Sequence, residues 1–449
     1  MPDDILYAET HRPQFHFTPR HNWTNDPNGL VYYAEEYHLF FQHNPTGITW
    51  GNMTWGHAIS TDLVHWTQLE HALHPDEMGT IFSGSAVVDW ENSSGFQTGE
   101  EKALVVFYTS AGKDPVPFTQ SVAYSNDRGR AWTKYEDNPV LGHLRAQNRD
   151  PKVFWHPRSG QWIMALYLAD NDYAIYGSKN LRQWDQLCDL TLPGVRECPD
   201  LFELPVDGDD GDTRWVYWGA NGGYVLGEFD GRSFSATSEV LNVEGGPNGY
   251  AAQTWSDSPD GRLLQISWMR GGKYPAMPFN QQMSFPVELR LHTTKDGIRL
   301  CRLPIAEIAL LHDKEYRWED DALVPGENLI PDTAGQLFDI RLEIEPGTAT
   351  AIGVKIRGID LRWEGGKISF QGTEAAIEPA DGRLVLQLLV DRTSLEVFGN
   401  RGELSMSICF LPEAADHPLV FYADGGAAHI NSLVVHELRS AWGAENALQ

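Results

Sequence analysis

Apolar residues along this chain fall in short runs, rich in β-branched and aromatic side chains and broken by Gly, Pro, Asn and Asp. Helical periodicity is hard to find before residue 300, so the pattern predicts strands. Five runs stand out as strand cores: Tyr37-His-Leu-Phe-Phe41, Leu104-Val-Val-Phe-Tyr108, Trp162-Ile-Met-Ala-Leu-Tyr167, Trp215-Val-Tyr-Trp218 and Leu263-Leu-Gln-Ile-Ser-Trp268. They recur roughly every 48 to 67 residues, near the period of propellers and repeat arrays. A second signature keeps the same beat: Ser60 to Trp66, Ser125 to Trp132 and Ser178 to Trp184 each set a polar turn ahead of a tryptophan. Weaker echoes follow at Glu228 to Phe234 and Thr294 to Ile298. A four-stranded sheet repeated five times around an axis leaves only short, protected edges, so the repeat predicts a five-bladed β-propeller, with stacked β-sandwiches as the competing arrangement.

Beyond about residue 305 the rhythm shortens. Leu337 to Ile344, Ala351 to Ile356, Leu384 to Val390 and Ser394 to Phe398 read as closely spaced strands, several with alternating polarity, which predicts a β-sandwich. The chain is therefore read as all-β, with a propeller over residues 1–304 and a C-terminal sandwich over 305–449, joined through Leu303-Pro-Ile-Ala-Glu-Ile-Ala-Leu310. A length of 449 also favours two domains over one core.

Charge and composition narrow the function. Against 34 Lys and Arg stand 62 Asp and Glu, a net charge of -28, which argues against nucleic acid as a partner. No apolar run approaches the ~20 residues of a membrane span. The N-terminal ten residues lack the basic and apolar segments of a secretory signal, which predicts a cytoplasmic chain, or a secreted one if a leader has been trimmed. Four cysteines, Cys188, Cys198, Cys301 and Cys409, form no dense disulfide framework and no zinc-finger spacing, and free thiols are the simpler reading.

If the five cores are equivalent, the segment before each is another strand of the same blade, nearer the axis. Asp26, Asp150 and Glu197 then come from three blades at comparable places, roughly 11 to 18 residues ahead of their cores, and converge at one mouth of the channel. Carboxylates gathered among aromatic rings suit glycosidic-bond cleavage, in which one is an ionised nucleophile and another a protonated acid. Sixteen tryptophans supply rings for the apolar faces of a sugar. Each segment alone has a plainer reading: Asp26-Pro-Asn-Gly29 is a good β-turn, Arg149-Asp150 a local ion pair, and Glu197 an edge residue. Their placement by the repeat is stronger than any one of them.

Trp23-Thr-Asn-Asp-Pro-Asn-Gly29, Phe41-Gln-His-Asn-Pro45, Trp50-Gly-Asn-Met-Thr-Trp-Gly-His57, Phe82-Ser-Gly-Ser85, Arg149-Asp-Pro151 and Glu197-Cys198 together resemble glycoside hydrolase family 32, the β-fructosidases. The resemblance spans most of the chain, in order and spacing, and continues through Met283-Ser-Phe-Pro286 and Val390-Asp-Arg-Thr-Ser-Leu-Glu-Val-Phe398. It implies a five-bladed propeller joined to a sandwich. It further implies Asp26 as nucleophile, Glu197 as general acid and base of a retaining double displacement, and Asp150 as transition-state stabiliser beside Arg149. By the same carry-over Asn25, Gln42, Trp50, Phe82 and Ser83 line a fructose pocket, with Trp23 and Trp255 as walls. Thr24 stands where the family usually has Met.

The reading that results is an exo-acting β-fructosidase releasing terminal fructose from levan or inulin, fructooligosaccharides and sucrose, with no metal or organic cofactor. Trp50-Gly-Asn52 and Pro275-Ala-Met-Pro-Phe-Asn280 look closer to exo-inulinases and levanases than to sucrose-6-phosphate hydrolases. Two alternatives stay open: a fructosyltransferase, which passes the same intermediate to a sugar, and a non-catalytic fructan-binding propeller. The sandwich is expected either to stabilise the propeller or to contribute to substrate access and to the contacts of a homo-oligomer.

Overall fold

The computed structural model describes residues 6–330, 333, 335–412 and 418–443; of the N-terminal stretch that lacks a signal pattern, residues 1–5 lie outside this range. Five antiparallel four-stranded units follow one another. Blade I comprises Asn22–Tyr33, Glu36–Asn44, Thr54–Ser60 and Thr67–Gln68, and blade II Thr80–Asp89, Ala103–Ala111, Phe118–Ser125 and Thr133–Lys134. Blade III comprises Arg149–His156, Gln161–Ala169, Asp172–Ser178 and Asp185–Thr191. Blade IV is built from Asp200–Val206, Asp209–Trp218, Gly223–Phe229 and Phe234–Ala236, and blade V from Gly249–Thr254, Leu264–Met269, Val287–Thr294 and Gly297–Pro304.

Each strand core read from the sequence is the second strand of its blade, and each preceding segment leads into or forms the first. The tryptophan signature has a physical cause in the turn between third and fourth strands. Ser60, Ser125 and Ser178 accept backbone N–H groups of Leu63, Gly129 and Leu181 at 2.8, 2.9 and 2.8 Å. The indoles of Trp66, Trp132 and Trp184 donate back to the carbonyls of the same three residues at 3.1, 3.1 and 3.2 Å. In blade IV, Asp230 does the capping, taking the N–H groups of Arg232 and Ser233.

First strands of neighbouring blades touch around the axis. Ser83 of blade II donates to Asp26 of blade I, and Ser85 bridges the Pro151 carbonyl and the Val153 N–H of blade III. Lys152 of blade III reaches Asp200 of blade IV at 3.1 Å and the Thr254 carbonyl of blade V at 2.8 Å. Ser256, just beyond the first strand of blade V, exchanges backbone hydrogen bonds with Leu30 and Tyr32 of blade I. The ring is closed by polar bonds between inner strands and by aromatic and aliphatic packing between the outer ones.

After Pro304 a 3-10 turn, Ala306–Leu311, leads into two stacked sheets. One runs His312–Leu323, Ala428–Leu438, Phe338–Glu345, Leu384–Val390, Ser394–Gly399 and Leu404–Cys409 in spatial order. The other runs Thr373–Ala376, Lys367–Phe370, Ile359–Glu364, Ala351–Ile356 and Val420–Asp424. Their facing aliphatic residues, among them Ile340, Leu342, Val354, Leu361, Leu388 and Val435, form a sandwich core. Residues ahead of blade I belong to neither unit alone: backbone N–H groups of Gln14, Phe15 and His16 bond Asp391 of the sandwich.

Candidate active site

The first strands of the blades begin at one mouth of the propeller, and the acidic residues sit at those beginnings. Asp26 is the fifth residue of its strand and Asp150 the second, while Glu197 lies just before the strand that opens at Asp200. Asp26 is part-buried, and its two oxygens take different donors: the Ser83 hydroxyl at 2.7 Å and the Asn25 side-chain amide at 3.1 Å. Asn25 is itself oriented by the Trp23 indole N–H at 2.8 Å. Ser83 can approach because Gly84 follows it: a Cβ there would collide with the Phe107 carbonyl.

Asp150 is 3% exposed and stands at a φ of 63°, a left-handed conformation that costs on the order of 1 kcal/mol in a non-glycine residue. Its N–H is tied to the Thr109 hydroxyl at 3.0 Å, which fixes that turn. Cys198, at a φ of 51°, supplies its N–H at 3.2 Å and its thiol at 3.4 Å to the same Asp150 oxygen, and its sulfur lies 3.9 Å from Asp26 Oδ2. One buried thiol thus bridges two carboxylates. Burial, with Asp150 and Asp26 alongside, holds that thiol well above its ordinary range, so it remains a donor.

Glu197 is held from both sides. The Arg149 guanidinium bonds one oxygen, and the Tyr250 hydroxyl donates to the other at 2.8 Å. Arg149 also lies 3.6 Å from Asp150 and stacks over the Tyr167 ring at 4.8 Å. Burial, and then the Glu197 charge, raises the Tyr250 phenol, which keeps its proton. Asp26 is raised above the usual carboxylate range by burial and by Glu197, against the hydrogen bonds from Ser83 and Asn25. Asp150 goes further, to about 7: burial dominates, Arg149 opposes it, and the Glu197 and Asp26 charges push it up again. Burial and mutual repulsion thus raise Asp26 and Asp150 together, against the donors that each one has.

The remaining predicted residues divide. Phe82 is part-buried and meets the edge of Trp50, which is 59% exposed, at 6.0 Å, so both rings flank the mouth beside Ser83. Gln42 is buried, and its amide nitrogen has no partner among the described residues. Thr24 is buried with its hydroxyl on the Gln42 carbonyl and offers no wall. Trp255 does not join the group. It is 2% exposed, stacks on Trp66 and donates to the His38 carbonyl. The reason is strand geometry: Tyr250 and Trp255 stand at opposite ends of one inner strand, about 16 Å apart at 3.3 Å per residue, and Tyr250 has the end at the mouth. Tyr250 and Tyr167, which touch Glu197 and Arg149, are the site residues that sequence reasoning missed; of that inner strand region it named Trp255 alone. Among the described residues no cluster has the makings of a metal site, and no helix is long and apolar enough to cross a membrane.

The model of the glycosyl hydrolases family 32 N-terminal domain matches residues 16–304, and that of the family's C-terminal domain matches 362–437. The chain belongs to glycoside hydrolase family 32. Among similar proteins, a levanase of Bacillus subtilis is 41% identical over 98% of this chain and 72% of its own length. A levanase of Bacillus sp. (strain L7) is 33% identical, and the chain covers 54% of it. An extracellular exo-inulinase of Aspergillus niger is 33% identical over 97% of this chain and 96% of its own. Among solved structures, the exo-inulinase of Aspergillus awamori superposes with a TM-score of 0.87 at 30% identity, covering 97% of this chain and 100% of that one. A fructofuranosidase of Schwanniomyces occidentalis, complexed with fructosylnystose, superposes at 0.86 and 28%, covering 97% and 99%. The family 32 fold is a β-propeller joined to a β-sandwich, and the chain is a glycoside hydrolase.

Proposed function

We propose that this glycoside hydrolase is an exo-acting β-fructofuranosidase that releases terminal fructose from levan or inulin, fructooligosaccharides and sucrose by a retaining double displacement. The observation that carries the reading is the different holding of the three acids. Asp26 is gripped by two neutral donors, Ser83 and Asn25, which orient a nucleophile without neutralising it. Glu197 sits between a cation and a phenol that serve one oxygen each, which fixes the direction of its carboxyl. Asp150, near Asp26 through the Cys198 thiol, is placed to bond ring hydroxyls and to stabilise positive charge as it develops at the anomeric carbon.

In the first step an Asp26 oxygen attacks the anomeric carbon while Glu197 protonates the leaving oxygen. In the second, Glu197 takes a proton from water, and that water releases fructose from Asp26. The names of the similar levanases and exo-inulinases support fructans as substrates. The test is a chromatographic time course on levan, inulin and sucrose, with Asp26→Asn alongside. Fructose should accumulate alone from the start, and Asp26→Asn should lose at least about 10⁴-fold in kcat while still binding substrate. Growth of longer oligosaccharides from sucrose would replace hydrolysis by fructosyl transfer. Early release of short oligosaccharides would overturn exo action, and a wild type that binds without turnover would make the propeller a lectin.

A further inference from the structure

A cavity of about 700 Å³ lies away from the acidic mouth. It lies at the other end of the inner strands, where the first strand of blade II ends at Asp89, that of blade III at His156 and that of blade V at Thr254, and it is walled mainly by aromatic and aliphatic side chains. A cavity of this size is ample for a small-molecule or oligosaccharide segment. Nothing in the catalytic scheme uses it.

Its chemistry is selective. Two tryptophans lining it are unusually open for so large a ring, Trp90 at 46% and Trp155 at 45% exposure, so their faces are available for stacking. Neither ring is loose: the Trp90 indole N–H is bonded to Asp257 at 2.9 Å, and Trp155 packs edge-on against Trp162 at 5.2 Å. The three cations in the wall, Lys152 on Asp200, Arg158 on Glu203 and Lys179 on the Gly160 carbonyl, are matched by the acids Asp89, Glu91, Glu203 and Asp257 that line the same cavity, so the wall has no excess of positive charge to draw an anion. Two buried groups are left over. His156 and Trp215, 2% and 5% exposed, each carry a ring nitrogen with no partner among the described residues, Nε2 and Nε1 respectively. On His156, Nδ1 lies 2.7 Å from the Ser159 hydroxyl and 3.3 Å from the Ser159 backbone nitrogen. The Trp215 nitrogen is a donor in any state, and what it lacks is an acceptor such as a hydroxyl oxygen.

We infer that this cavity is a second saccharide site, distinct from the catalytic mouth, which takes a segment of a neutral fructan chain between Trp90 and Trp155. Stacking rings, balanced charges and an unmet indole donor suit a ligand that is uncharged, carries C–H faces and presents hydroxyls all round. The identity of the polymer rests on the proposed β-fructofuranosidase activity. Holding one part of a polymer raises the local concentration of its ends near the mouth without any change in the chemistry.

The test is affinity electrophoresis of the full chain through native gels containing levan, inulin or dextran, with sucrose hydrolysis measured in parallel. Trp90→Ala/Trp155→Ala should weaken retardation by levan or inulin about tenfold or more, with kcat/KM on sucrose within about twofold of wild type. Trp155→Tyr, which keeps a stacking face, should restore most of the retardation. Where the double variant also loses sucrose hydrolysis, Trp90→Ala alone carries the same comparison. Unchanged retardation in the alanine variants overturns the inference, and so does equal, tryptophan-dependent retardation by dextran. A wild type that releases fructose from none of the three substrates, yet is retarded by a fructan through Trp90 and Trp155, overturns the proposed activity and leaves the second site standing.

Discussion

Two buried acidic clusters in this molecule look alike in composition and behave in opposite ways. At the mouth stand Asp26, Asp150 and Glu197 with Arg149; at the joint between propeller and sandwich stand Asp391 and Glu396 with His16. Asp150 and Asp391 are both almost fully buried, at 3% and 0% exposure. Burial pushes both carboxyls up. At the joint it is overcome: Asp391 takes the His16 ring at 2.9 Å and the backbone N–H groups of Gln14, Phe15, His16 and Arg392, and it ends below the usual carboxylate range. At the mouth it is not overcome, since Asp150 has one N–H, one thiol and a guanidinium nitrogen 3.6 Å away, with two more acids nearby. What separates a structural charge from a reactive one is the supply of donors rather than depth.

The contrast is tested most severely at Asp150. Asp150→Asn should lower kcat/KM at least about 10³-fold, because charge stabilisation in the transition state is lost. At pH 8 the same variant should be more stable than wild type by on the order of 2 kcal/mol. An acid raised from 3.8 to about 7 in the fold stabilises it fully only below 3.8, and that contribution is lost as pH rises through 7. The gain stays below the ~4 kcal/mol such a shift allows, because Arg149 loses a neighbour. Denaturant unfolding at pH 8 checks it, and a destabilised Asp150→Asn would erase the distinction between the clusters.

Asp391→Asn should do the reverse. It leaves Glu396, at 2.8 Å, as the one carboxylate on His16 and turns one of the two oxygens that serve the backbone donors into an N–H donor, so a loss of about 3 kcal/mol or more is expected with kcat nearly unchanged in the protein that folds. Thermal unfolding beside a sucrose assay reads both.

A pH series sharpens the same point with smaller effects. Burial lowers His16, but its hydrogen bonds to Asp391 and Glu396 and their charges outweigh that and raise it to about 9. Its contribution is complete below 6.5 and disappears as pH rises through 9. Wild-type stability should therefore fall between pH 7 and 10, by at most about 1.4 kcal/mol per pH unit from this group, and the slope should flatten in Asp391→Asn. Asp391 works on the acid side: its contribution is present above 3.8 and is lost as pH falls through its lowered value. An identical alkaline slope in both proteins would remove His16 from the account.

The two clusters were also unequally legible in the sequence. Asp26, Asp150 and Glu197 could be brought together because the blade repeat places them, and the strand cores and Ser-to-Trp turns report that repeat through local patterning. Trp255 went wrong for a reason internal to the same logic: the repeat locates a strand but not which of its ends faces the mouth, and an aromatic at the far end packs as core. Tyr250 was passed over because a lone tyrosine at a strand start carries no pattern of its own. The joint was legible only in half: Asp391 and Glu396 stand in the family motif Val390 to Phe398, but residues 14–16 are hundreds of positions away and no periodicity links the two. Long-range pairing of that kind is set by how two domains dock, which strand patterning does not encode.

Tyr250 offers the finest test. Its hydroxyl donates to Glu197 Oε1 at 2.8 Å, while Arg149 holds the other oxygen, so Tyr250→Phe removes one of two restraints on the proposed acid and leaves the ring packed against Trp268. A hydrogen bond to a charged group contributes about 1.5 kcal/mol, which corresponds to roughly tenfold in rate if it is used to orient proton transfer. The loss should fall on kcat rather than KM, because the hydroxyl restrains Glu197 and the scheme gives it no part in gripping the sugar. It should shrink with a fructoside whose leaving group departs without protonation, such as a nitrophenolate, since the first step then needs no acid. An equal loss on both substrates would make Tyr250 a part of the pocket wall, and the mouth would then hold its acid by Arg149 alone.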